Sequence, residues 1–220
     1  MSTLRIQDHT RIVRAVTQNP LRVVKRLPLR KFVCNGASPT GADVLRAAMK
    51  VPQIDARTKE AMAEVLRLLP AIERGMKRIP AREKKLLKQL LQQIDTAKSP
   101  RAALATLTRL QNDEAYGPIS VALDLTARLI KDGMSNIYSP NSSHAVFLQA
   151  NNGGGGGEEG GDEDGGDEKW PVLKADAGGA AAGAMVGVAF EGVGAIPGAA
   201  AGAVGASLAQ AVEEVLDIIM

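Results

Sequence analysis

The sequence predicts an all-α protein with an N-terminal helical bundle, a disordered linker and a C-terminal glycine-zipper helical hairpin. Residues 38–133 carry apolar side chains at helical spacing and show no strand alternation of useful length. Residues 151–168 contain no apolar side chain, so they cannot offset the entropy cost of becoming ordered. Residues 177–212 are rich in Gly and Ala, and Glu191 is their only charged residue.

These patterns divide the chain into four predicted regions: a basic arm (1–37), a helical bundle (38–150), a disordered acidic Gly-rich linker (151–169) and the hairpin (170–220). Residues 1–150 hold 25 Lys and Arg against 12 Asp and Glu, a net charge of +13. Residues 151–220 hold 2 against 12, a net charge of −10. This asymmetry indicates either attraction between the two parts or an anionic partner for the basic part.

The basic arm combines a loose amphipathic pattern with many Arg and Lys residues. Asn19-Pro20 and Leu27-Pro28 limit any single helix here, because the residue before a proline disfavours helical geometry. A basic amphipathic segment can lie on an anionic membrane or contact nucleic acid. The simpler interpretation is a solvated helix face followed by a flexible arm.

The bundle is predicted from helix starts that precede amphipathic segments. Its five helix starts are marked by Thr40, Asp55, Pro80, Ser99-Pro100 and Pro118. Ser, Thr and Asp cap helices, and proline suits the first helical position. We expect Pro70 to end the second helix, or to kink it so that Ala71–Arg78 continue it. Burying one Leu or Ile contributes about 1.5–3 kcal/mol, so such a bundle is expected to be stable without a cofactor.

The hairpin is predicted from two glycine triplets at helical spacing. They are Gly179, Gly183 and Gly187, followed by Gly194, Gly198 and Gly202. A step of four residues places each triplet on one helix face. Because glycine costs about 0.5–1 kcal/mol relative to Ala in a helix, regular spacing indicates that another backbone approaches closely. With Asp176 as N-cap and Pro197 opening the second arm, the arms are predicted over Ala177–Phe190 and Pro197–Leu216.

The sequence GGAAAGAMVGVAFEGVGAIPGAAAGAVGAS, within the hairpin, resembles the glycine-zipper segments of bacteriocin-like peptides and pore-forming antibacterial effectors. The resemblance implies membrane insertion and self-association through the two glycine triplets, and it supplies no catalytic residue. Glu191 would be costly in lipid, so we expect it to face a lumen or a turn, or to be protonated. Trp170 is expected to be either an interfacial anchor or a packing residue.

The alternative is that the hairpin packs against the rest of the chain or stays partly disordered. The first predicted arm has about 14 uncharged residues, or ~21 Å of helix, whereas a bilayer core needs about 20 residues. Ala and Gly also contribute little transfer free energy. A membrane role would therefore require oligomerisation or bilayer thinning.

The sequence contains no recognisable catalytic, cofactor or metal motif. His9 and His144 have no partner at ligand spacing, and Cys34 is interpreted as an inert thiol. The acidic cluster in the linker lacks EF-hand spacing. Paired carboxylates occur only where no shaped pocket is expected. We therefore predict a non-enzyme that needs no cofactor and no metal.

The favoured prediction is a membrane-active, bacteriocin-like toxin or secreted effector that acts through a self-associating glycine-zipper hairpin. Its predicted partners are a lipid membrane, further copies of the same chain, and an immunity or delivery protein. The alternative is a soluble, non-enzymatic scaffold whose basic helical domain binds an anionic partner. Nucleic-acid binding is disfavoured, because neither a groove-reading motif nor stacking aromatics are recognisable.

The predicted localisation follows from the start of the chain. Residues 1–20 contain no apolar core of the kind that a signal peptide has. We expect a cytoplasmic protein that reaches a target-cell membrane by a specialised or leaderless route.

Overall fold

The structure is a computed structural model that describes residues 4–28, 32, 38–136, 170–189 and 194–219. For residues 170–172 and 212–219 it describes the backbone and not the side chains. The described residues form helices and no strands, which confirms the predicted all-α class. The helices are α1 (Ile6–Thr17), α2 (Pro20–Val24), α3 (Gly41–Ala48), α4 (Ala56–Arg78), α5 (Ala81–Asp95), α6 (Pro100–Gln111), α7 (Ser120–Asn136), α8 (Trp170–Ala189) and α9 (Ala195–Ile219). A 3₁₀ helix, Glu114–Ile119, precedes α7. The predicted linker, 151–169, lies outside the described residues.

Local capping interactions set the starts of several helices. At α3, the Thr40 hydroxyl accepts a hydrogen bond from the Asp43 backbone N–H at 3.3 Å, and Asp43 accepts one from the Thr40 backbone N–H at 3.1 Å. This reciprocal pair is the predicted capping box. At α4, Asp55 Oδ1 accepts a hydrogen bond from the Thr58 backbone N–H at 2.9 Å. Ser99 caps α6 in the same way, through the Ala102 N–H at 3.2 Å.

Two prolines lie inside helical segments: of the two predicted alternatives, Pro70 follows the one in which its helix continues, whereas the prediction that Pro118 opens a helix was wrong. Pro70 is inside the continuous helix α4 and does not end it. It is exposed, so the carbonyl that loses its donor lies on the solvent-facing side and can bind water. Pro118 lies within the 3₁₀ helix, and α7 begins at Ser120.

The predicted basic arm contains two helices that pack into the core. Helix α1 buries Ile12, Val13 and Val16 completely or nearly so, and α2 buries Val23 and Val24. Helix α1 contacts α4, α7 and α9, and α2 contacts α3 and α9. The loose amphipathic pattern of this segment therefore belongs to the hydrophobic core, and the described arginines and lysines beside it are exposed or partly exposed.

Helices α8 and α9 form the predicted C-terminal hairpin, and it lies at the centre of the bundle. The two arms have the most extensive contact of any pair of described helices. Helix α8 also contacts α4, α5 and α7, whereas α9 contacts α1, α3, α4 and α7. The hairpin and the N-terminal helices thus share one hydrophobic core. The amphipathic helices bury their apolar sides against a pair of helices built from small residues.

Candidate functional site

The two glycine triplets face each other across the hairpin and bring the arms together. Gly179 is opposite Gly202, Gly183 is opposite Gly198, and Gly187 is opposite Gly194, as expected for antiparallel arms. A Cβ atom built on Gly183 would lie only 2.6 Å from the Gly198 carbonyl carbon. No side chain larger than hydrogen fits between backbones that are this close.

The glycine that begins the second arm has a different role. Gly194 has a φ of +80°, in the left-handed region that favours glycine. Its carbonyl oxygen accepts the first hydrogen bond of α9, from the Gly198 N–H at 2.9 Å. The glycine spacing therefore serves both the pairing of the arms and the entry into the second arm. Glu191 lies outside the described residues.

The start of the first arm differs from the prediction. Helix α8 begins at Trp170, so Asp176 lies inside the helix and the prediction that it caps α8 was wrong. Asp176 is completely buried, and its Oδ1 lies 2.9 Å from Nε2 of His9 on α1. His9, predicted to lie in the arm without a partner at metal-ligand spacing, is also completely buried. A buried carboxylate requires a hydrogen-bond donor, and His9 supplies it. The position of Asp176 is therefore explained by this contact in the core and not by helix capping.

The pair formed by His9 and Asp176 connects α1 to the hairpin at the end away from its turn. Among the described residues, His9 Nδ1 and Asp176 Oδ2 are buried and have no hydrogen-bond partner. The pair thus has two polar atoms unsatisfied in the core, which makes the single contact between the two side chains important for stability.

The opposite end of the hairpin exposes apolar side chains. We call Val121, Val188 and Ile196, with the adjoining ends of α8 and α9, the hairpin tip. These three side chains are exposed by 44%, 59% and 47%, and they are three of the four large exposed apolar side chains in the described part of the chain. The fourth is Leu21, on α2. Exposed apolar side chains that cluster in this way are typical of interaction sites.

A strongly basic segment lies beside the hairpin tip. We call residues 74–88, the last turn of α4 and the first half of α5, the basic corner. It contains seven basic residues and one acidic residue, a net charge of +6, and all seven basic side chains are exposed. The basic side chains are Arg74, Lys77, Arg78, Arg82, Lys84, Lys85 and Lys88.

A cleft of about 170 Å³ joins the basic corner to the hairpin tip. Ile79, Pro80 and Glu83 line it from the corner, and Val121 and Val188 line it from the tip. The Oε2 atom of Glu83 is buried and has no hydrogen-bond partner in the described part of the chain. The only acidic side chain of the corner is therefore partly withdrawn from the surface, which leaves the exposed charge positive.

A contact at the C-terminal end of α5 shows in which direction this helix runs along the hairpin. Lys174 Nζ on α8 donates a hydrogen bond to the Asp95 carbonyl oxygen at 2.5 Å. Since Asp95 is the last residue of α5, α5 runs antiparallel to α8 and its first turn lies at the tip. A cation bound to the last carbonyls of a helix is favourable.

Trp170 begins α8, but its side chain is not described. Both interpretations of it, as an interfacial anchor or as a packing residue, therefore stay predictions.

The sequence analysis missed a second close approach, between α3 and α9. A Cβ atom on Gly41 would lie 2.7 Å from the Gly205 carbonyl carbon, and one on Gly205 would lie 2.8 Å from Leu69 Cδ2. Gly205 follows the predicted triplet by three residues, on nearly the same helix face. Gly41 stands inside the capping box, where nothing local indicates a distant partner.

No helix within the described residues combines the length and the apolar character needed to cross a bilayer. Within the same residues, no three His, Cys, Asp or Glu side chains come together as possible metal ligands. Comparison of the chain with protein-family models, with curated proteins and with solved structures found no match.

Proposed function

We propose that this protein is membrane-active, a bacteriocin-like toxin or delivered effector that permeabilises a bilayer through its hairpin. The observation that supports this most is the placement of the hairpin. A pair of Gly- and Ala-rich helices is surrounded by amphipathic helices, and its tip exposes Val188 and Ile196. In this proposal the bundle is the form in which the hairpin is sheltered before it meets a membrane.

The glycine pairing makes such a transfer physically reasonable. In a bilayer no hydrophobic effect drives helices together, and close packing of small residues takes that role. The contacts between Gly183 and Gly198 and between Gly179 and Gly202 are of this kind. The hairpin can therefore keep its internal packing when lipid replaces the surrounding helices. Those helices, with apolar sides uncovered, can lie in the interface.

Charge and length indicate how the hairpin would enter. The uncharged part of α8, from Ala177 to Ala189, is ~20 Å long, which is shorter than a bilayer core of about 30 Å. Lys174 and Asp176 lie just before it. We therefore propose entry with the tip first, while the end that carries these charges stays at the interface and the bilayer thins locally.

Homo-oligomers through the hairpin are part of this proposal. Because the glycine triplets pack against each other within one chain, contacts between chains would use the outer faces of the arms. Ala181, Ala199 and Ala203, which are not part of the glycine triplets, are completely buried in the core and are small enough for close packing. An immunity or delivery protein stays a prediction.

Leakage of a trapped dye from lipid vesicles tests the proposal. The wild-type protein is expected to cause leakage, and Val188→Asp is expected to abolish most of it, because an Asp near the bilayer centre is costly. Leu21→Asp is the matched control, since Leu21 and Val188 are both exposed by 59%. Absence of leakage by the folded wild-type protein, or equal loss in both variants, would contradict the proposal.

The second candidate is a soluble scaffold whose basic helical part binds an anionic partner. It is favoured by the observation that the glycine triplets are already paired within the chain, because a scaffold needs the hairpin only as part of its core. Binding of the wild-type protein to an anionic protein or polymer, together with the absence of any vesicle leakage, would support this candidate. Both candidates are non-enzymatic.

A further inference from the structure

We propose that the basic corner and the hairpin tip together form one docking surface, and that its partner is an anionic lipid bilayer. The inference rests on the proposed membrane function and specifies which face of the molecule meets the membrane and which lipid charge it selects. The corner and the part of the tip that belongs to the hairpin lie about a hundred residues apart in the sequence, and the fold brings them to the same end of the molecule.

The geometry supports a single surface. The cleft beside Val188 is lined by Ile79 and Pro80, the residues between α4 and α5. The basic side chains of the corner lie within about two helical turns of Pro80 along α4 or α5, roughly 12 Å. Apolar side chains at the tip are thus bordered by positive charge, and the two would meet one plane at the same time.

The chemistry of the surface fits an anionic leaflet. Each Lys or Arg held near such a leaflet strengthens binding about fivefold. Aliphatic side chains at the tip can enter the boundary between headgroups and acyl chains. Docking through this surface places the hairpin turn against the bilayer, which is the orientation that entry with the tip first requires.

Nucleic acid is also anionic, but it fits this surface less well. Proteins that bind single strands stack bases on aromatic side chains. Among the described residues, the large exposed apolar side chains at this surface are Val121, Val188 and Ile196, all aliphatic, and nearby Tyr116 is buried. Aliphatic side chains beside positive charge match a lipid surface, where both apolar and ionic contacts are available.

The test is sedimentation of the full chain with vesicles of phosphatidylcholine alone or mixed with phosphatidylglycerol. The test variant is Arg82→Glu/Lys85→Glu, at the start of α5. The control is Lys98→Glu/Arg101→Glu, which has the same charge change and the same spacing and also lies near a helix start. The control residues are exposed and lie beyond the far end of α5. Circular dichroism checks that both variants are folded.

We expect the wild-type protein to bind the mixed vesicles and not the neutral ones. Because two attractions are lost, Arg82→Glu/Lys85→Glu should bind at least about 30-fold more weakly, whereas the control should change by less than about threefold. Equal weakening in both variants, equal binding to neutral vesicles, or binding to DNA or RNA without binding to vesicles would overturn the inference. Docking without dye leakage would leave the surface intact and contradict the proposed permeabilisation.

Discussion

Substitution of Gly183 by Ala tests the close approach of the two hairpin arms. The added Cβ would lie 2.6 Å from the Gly198 carbonyl carbon and 3.3 Å from the Ala199 backbone nitrogen. Carbon atoms pack favourably at about 3.5–4.0 Å, so the arms must separate by roughly 1 Å. The obstructing atoms belong to the backbone and cannot move aside by a change of rotamer.

Two effects of opposite sign decide the magnitude. Overpacking of a core costs about 1–3 kcal/mol, and an obstruction by backbone belongs at the upper end of that range. Ala is better than Gly in a helix by about 0.8–1 kcal/mol, which offsets part of the cost. We expect Gly183→Ala to lower the free energy of unfolding by about 1–2 kcal/mol.

A matched control lies on the same helix. At Gly178 the nearest atom to an added Cβ is Leu91 Cδ2 at 3.5 Å, an ordinary contact. Gly178→Ala should therefore raise the free energy of unfolding, by up to about 1 kcal/mol through helix propensity. Urea denaturation followed by circular dichroism measures both variants. Stability equal to or above wild type in Gly183→Ala would refute the close approach of the arms.

Two further predictions concern the stability of the helical bundle. His9→Leu leaves the buried Asp176 carboxylate without its donor and should destabilise the protein by about 3–5 kcal/mol. His9→Leu/Asp176→Leu should recover much of that loss, because no buried charge is then left without a partner. Urea denaturation that finds no recovery in the double variant would contradict a pair whose two members depend only on each other. Hydrogen bonds from the Thr58 hydroxyl and backbone N–H lower the pKa of Asp55 below its ordinary value of 3.8. The charged cap therefore contributes fully above pH 3.8 and is lost as the pH falls through the lowered pKa, so Asp55→Asn should reduce the loss of stability on acidification below pH 3.8. An unchanged dependence of stability on pH would contradict this role.

Local features were predictable from the sequence. The capping box at Thr40, the cap at Asp55 and the placement of each glycine triplet on one helix face all depend on spacings of three or four residues, which a sequence pattern records directly. The all-α class follows from the same periodicity. The prediction of a hairpin succeeded because its turn and its paired faces are close together in the chain.

Long-range features could not be predicted in the same way. His9 and Asp176 are 167 residues apart, and nothing in either neighbourhood indicates the other. An Asp just before a Gly- and Ala-rich run is typical of an N-cap. The helix nevertheless begins earlier, at Trp170, and the buried Asp176 carboxylate has His9 as its hydrogen-bond partner. The union of the hairpin tip with the basic corner likewise depends on how α5 packs along α8, which no local spacing encodes.

Hydrogen exchange of the full chain, with and without mixed anionic vesicles, tests most directly whether the hairpin leaves the bundle as a unit. Without vesicles, amides in the centre of α8 and α9 should be among the most protected, since they form the core. With vesicles, we expect amides of α1, α4, α5 and α7 to exchange faster because those helices lose their packing against the hairpin, while α8 and α9 stay protected. An unchanged pattern in protein that is bound to vesicles, or loss of protection first in α8 and α9, would contradict the account.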